Sequence, residues 1–229
     1  MAAKILQLIG QDRAVLYPAM IADFLTIWLA KFLQLNAAGS LPRYLLLLLL
    51  SALVGLFVNL FAAECARQII LRKKLLLNTA LADTAGHYLP TLFFCGILAG
   101  LSAAVFLLLF TLAGDKLGHW LVFLVPLWLV LGFILKIFPI VYVLGAVPAY
   151  RVYYLIYMYL RKNFRRGLSA FSFFLLVTLL LNLAAVFLTR LPANFTAALA
   201  PLLSGFGAVF LVYGLVLFFL GDQQINELV

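Results

Sequence analysis

Residues 139–174 read PIVYVLGAVPAYRVYYLIYMYLRKNFRRGLSAFSFF, and their reading decides the fold. An apolar run ends near Val147. Tyr150, Tyr153, Tyr154, Tyr157 and Tyr159 follow, and then the cations Arg161, Lys162, Arg165 and Arg166. A second apolar run begins at Leu168. Tyrosine favours the headgroup level, where a ring is half wet, and Lys/Arg mark the cytoplasmic side of a membrane. The stretch therefore reads as a membrane span, a segment lying along the bilayer surface, and a return span.

The rest of the chain agrees in character. Its 229 residues are 67% hydrophobic, with a mean hydropathy of +1.20. A soluble domain is only about half apolar, so a bilayer must solvate much of this one. Lys and Arg number 16 against 7 Asp and Glu, a net charge of +9. In a soluble protein that balance points to nucleic acid. Here the cations gather at the ends of apolar runs, which implies topology and anionic lipid, with no nucleic-acid partner. Cys65 and Cys95 provide no disulfide framework. Lys4, Asp12 and Arg13 interrupt the first residues, so the first span is expected to stay as the targeting signal.

The expected architecture is all-α: a polytopic membrane protein with six transmembrane helices in one domain, 1–229. Residues 1–14 read as a short amphipathic lead-in. The spans are predicted at Val15–Leu35, Tyr44–Ala63, Leu89–Ala113, Trp120–Val147, Leu168–Leu188 and Ala197–Leu220. Two basic amphipathic connectors join them, within residues 64–90 and 148–167. In the first, Ile69, Ile70, Leu76, Leu77 and Leu81 share one helical face, which predicts an interfacial helix. Pro126 and Pro139 predict tilt, a kink or a break in the fourth span. The cations cluster on the side of the N-terminus and both connectors, which places both termini in the cytoplasm.

Candidate functional residues fall into three sets. Arg151, Arg161, Lys162, Arg165 and Arg166 are candidate contacts for anionic lipid headgroups of the cytoplasmic leaflet. Asp23, Asn59, Lys136 and Asn182 are polar residues inside spans, where such groups are functional candidates. Asp23 and Lys136 fall at similar depth, which allows an ion pair between them; the alternatives are a protonated Asp23 or a Lys136 that reaches a water-filled cavity alone. Gly96, Gly100 and Ala104, each four residues apart, leave a bare stripe on which another helix can pack, inside the monomer or across a dimer. No Gly-rich phosphate loop, CxxC or HExxH occurs. His87 and His119 fall on opposite membrane sides and read as interfacial polar residues. No catalytic, cofactor or metal site is expected.

ALADTAGHYLPTLFF (residues 80–94), FPIVYVLGAVP (138–148) and YLRKNFRRGLSAF (159–171) carry a further likeness. The chain resembles the six-helix membrane domain attached to some bacterial glycerophosphodiester phosphodiesterases, and related stand-alone bacterial membrane proteins. Tyrosines replace the Ala-Leu and Ser of that pattern in the second connector. No phosphodiesterase domain is present, so the resemblance implies no hydrolase activity. It implies a multi-pass inner-membrane protein without its own catalysis, either a scaffold or a membrane subunit of a larger complex. The alternative is a small solute-binding transport component, with Asp23, Asn59, Lys136 and Asn182 lining a midplane pocket.

Overall fold

The computed structural model describes residues 2–11, 13–21, 24–25, 41–72, 75–113, 117–188, 190 and 193–220. Among them every regular element is helical. The reason is the solvent: within lipid, backbone N–H and C=O groups must pair internally, and a helix does so within one segment.

The helices are α1 (Ala2–Gln11), α2 (Leu41–Arg72), α3 (Leu77–Ala113), α4 (Leu117–Gly145), α5 (Val152–Lys162), α6 (Phe164–Leu188) and α7 (Ala193–Leu220). A 3-10 turn at Ala149–Arg151 precedes α5. Among the described residues, five helices are long and apolar enough to cross a membrane: α2, α3, α4, α6 and α7. The first expected span, Val15–Leu35, falls largely outside the described residues, and so do Asp23 and its candidate ion pair with Lys136.

Helix α2 packs against α3, α4 and α7; α4 also packs against α3, α5 and α7. The core lies at the end of the bundle near the connectors. It holds Leu60, Phe61, Ile137, Phe138, Tyr213, Leu215 and Phe219, all nearly inaccessible. Between apolar helices in lipid, close packing does what water exclusion does in a soluble core. Glycines allow that approach on α7. A Cβ at Gly207 would overlap Leu181 of α6, and one at Gly214 would overlap the Phe173 ring of α6.

The lead-in forms α1, with Ile5 and Ile9 buried one turn apart. It lies along α7. A Cβ at Gly214 would stand 3.3 Å from Ile5 Cδ1, and one at Gly205 would stand 3.0 Å from the Met20 backbone nitrogen. Residues 5–20 thus run antiparallel to 205–214.

Two expectations change. No separate interfacial helix lies between α2 and α3 among the described residues. Helix α2 continues past Ala63 to Arg72, and α3 starts at Leu77, twelve residues before the expected Leu89. Glu64, Arg67, Asp83 and His87, taken as part of a surface segment, belong to these two helices, where they pair with one another. Helix α4 runs unbroken through Pro126 and Pro139. The second connector does form its own helix, α5. Its Val152, Leu155, Ile156 and Tyr159 are buried.

Candidate functional site

Two features carry chemistry. The first is a polar network where α2, α3 and α4 meet. Glu64 is completely buried on α2. Arg67 follows three residues later on the same helix, and its Nη2 lies 2.7 Å from Glu64 Oε2. The same nitrogen donates to Asp83 Oδ2 of α3 at 3.2 Å. One turn along α3, His87 Nδ1 is 2.8 Å from Glu64 Oε1. Tyr142 of α4 meets the imidazole edge-on, with ring centroids 4.9 Å apart. Arg67, Asp83 and His87 are partly exposed, at 24%, 35% and 31% of their side chains, so the network reaches from the buried carboxylate to the surface. Gln68, also buried, accepts from the Leu76 N–H at 3.0 Å and so ties the end of α2 to the start of α3.

Further along α2, Lys136 Nζ of α4 donates to Asn59 Oδ1 at 2.6 Å. The expected intramembrane set is thus divided. Asn59 and Lys136 meet. Asn182 is exposed on α6 and donates to the Thr178 carbonyl of its own helix at 2.9 Å. Asp23 lies outside the described residues. A groove of about 600 Å³ lies between Pro18, Ile21 and Leu25 on one side and α2 and α3 on the other, with Leu53, Phe57, Val58 and Tyr88 among its walls. Its lining is apolar and includes neither Asn59, Lys136 nor Asn182.

The second feature is the outer face of α5 and the first turn of α6. Two tyrosines hold α5 to the bundle: Tyr153 donates to the Phe94 carbonyl of α3 at 2.8 Å, and Tyr159 to the Phe218 carbonyl of α7 at 3.1 Å. The Tyr153 ring packs on Phe138 and the Tyr159 ring on Phe219. Burial pushes the Tyr153 phenol well above its ordinary range, so it stays a donor. Tyr150, Tyr154 and Tyr157 point outward and are more than half exposed. Arg151, Arg161, Lys162, Arg165 and Arg166 are exposed too, with the Arg151 guanidinium over the Tyr150 ring at 5.6 Å. Asn163 forms the corner between the two helices, where Gly167 sits against Leu160.

Gly96, Gly100 and Ala104 lie on an exposed face of α3. Nothing among the described residues comes within 4 Å of a Cβ built at either glycine, so the stripe does not mediate packing within the described bundle.

The sequence reading overlooked Glu64, Arg67, Asp83 and His87 as a group. A signal was present: each acid stands one helical turn from a base, Glu64 to Arg67 and Asp83 to His87, inside otherwise helical apolar pattern. The charges read as a surface because their partner helix was not visible.

These features define a multi-pass α-helical membrane protein. Comparison with family models, curated proteins and solved structures gives no match.

Proposed function

We propose that the chain is a non-catalytic, multi-pass component of a bacterial inner membrane, a scaffold or a subunit of a larger complex, seated on anionic lipid through α5 and the start of α6. The observation that carries this reading is the division of α5 into a pinned inner face and an outer face of tyrosines and cations. That division suits a helix lying in the interface, with rings at headgroup depth and cations beyond them. Each cation near such a surface contributes about 1 kcal/mol. The likeness of residues 80–94 and 138–171 to the membrane domain described above agrees with it. Under this reading both termini and α5 are cytoplasmic. The rival transport reading has less support, because Asn182 points away from the Asn59–Lys136 pair and the groove is lined by apolar side chains.

The test replaces Arg161, Lys162, Arg165 and Arg166 by Gln together. Anionic phospholipid co-purifying with the protein should fall several-fold while the fold is retained. Unchanged lipid content overturns the proposed contact.

A further inference from the structure

We propose that Glu64 and His87 together form a proton-binding site, opening toward the connector end of the bundle. This goes beyond the lipid-seating role and does not depend on it.

The argument starts from charge. Glu64 and Asp83 contribute two negative charges, and Arg67, shared between them, contributes one positive charge. With a neutral imidazole these four side chains carry one net negative charge, around a carboxylate that is fully buried. One added proton brings the network to neutrality, whether it rests on the imidazole or on the carboxylate. Two groups in direct hydrogen-bond contact titrate as a unit, so the proton belongs to the pair.

Geometry supplies the route. Glu64 Oε1, as a carboxylate oxygen, accepts from His87 Nδ1. That assigns the neutral ring its Nδ1–H tautomer and leaves the Nε2 lone pair as the base. A proton from hydronium adds at Nε2, releasing water, and no other bond breaks. The ring is 31% exposed while the carboxylate is fully buried, so a proton can reach Glu64 by way of the imidazole.

Among the described residues, Arg67 and His87 are the ionisable groups in contact with Glu64. On α2 the charged neighbour is Arg67, already shared, and on α3 it is Asp83, one turn from His87. From α4 the Tyr142 ring faces the imidazole, while Lys136 donates to Asn59 further along α2. In the 149–151 turn, which packs on α3, the Arg151 guanidinium stacks over Tyr150. A proton thus balances the charge of these four side chains. Because its two holders sit on α2 and α3, its arrival changes the charge at the junction of the two helices.

The sequence has two histidines, which makes the test direct. In the H119Q background, ¹⁵N NMR of the protein in nanodiscs reads the His87 ring alone. Nδ1 should stay protonated throughout, and Nε2 should take up the proton. Adding E64Q should weaken proton uptake at Nε2 by about tenfold, because a neutral amide replaces the carboxylate that accepts from the ring. D83N should weaken it less, because Asp83 acts on the ring through space and not by contact. Equal proton binding with and without E64Q overturns the proposal. If E64Q does not fold, H87Q gives the reciprocal reading by infrared titration of the Glu64 carboxyl band. Loss of the imidazole should move the carboxyl titration by a similar factor, and an unmoved band also overturns the proposal.

Discussion

Replacing Gly214 by Ala adds one methyl group where α7 meets α6 and α1. The new Cβ would overlap the ring edge of Phe173, at Cε1 and Cζ, and stand 3.3 Å from Ile5 Cδ1. Carbon atoms in contact rest about 3.5–4.0 Å apart, so the ring must move. It has little room, because Phe173 is itself packed against Phe210 and Phe218, with centroids 6.0 and 5.7 Å away. Overpacking of this kind costs about 1–3 kcal/mol. Ala in place of Gly inside a helix returns about 1 kcal/mol, which masks part of the loss. Gly100→Ala supplies the control: it has the same propensity gain, on a face with nothing within 4 Å among the described residues. The difference between the two variants therefore isolates the overpacking. For a chain of this length, each kcal/mol moves the midpoint by about 2–4 °C. Thermal unfolding in detergent should place Gly214→Ala below Gly100→Ala by about 2–12 °C. Adding Phe173→Leu to Gly214→Ala should recover part of that gap. Equal midpoints for the two glycine variants would refute the argument that Gly214 exists to admit the Phe173 ring.

Two further outcomes follow from the described geometry. Arg67→Met should cost about 3–5 kcal/mol in a denaturant titration, because it strands the buried Glu64 carboxylate, and combining it with Glu64→Gln should cost less than the sum of the single changes. Ala146 follows the end of α4 with a φ of 47°, in the left-handed region where a Cβ costs about 1–2 kcal/mol, so Ala146→Gly should leave stability equal or raise it slightly in the same titration.

The apolar runs made five membrane-length helices legible, since a run of about twenty apolar residues between charges has few other readings. The separate helix at residues 152–162 was legible too, because tyrosines and cations set it apart from the apolar runs on either side. What the periodicity of residues 150–159 did not separate was which tyrosines turn inward. That depends on Phe94 and Phe218 offering carbonyls from α3 and α7, a fact of tertiary packing. The ion-pair network was hidden for a related reason. A charged residue near a span end looks solvated unless its counter-charge is known, and the partners of Glu64 are divided between α2 and α3. The Gly96–Gly100–Ala104 stripe marks a different limit of sequence reading. Spacing establishes that a helix has a bare face, but the neighbours decide whether anything occupies it.

The placement of α1 against α7 governs the order of assembly. Ile5 and Gly214 meet across nearly the whole chain, so α1 leaves the ribosome long before its partner exists. Synthesis proceeds from the N-terminus, at about 5–20 residues per second. For that interval the apolar face of Ile5 and Ile9 must rest on lipid or on an insertion factor. Docking of α1 then becomes a late event, completed when α7 is in the membrane. A ribosome-bound chain stopped before α7 should leave α1 open to protease, and extension through Leu220 should close it.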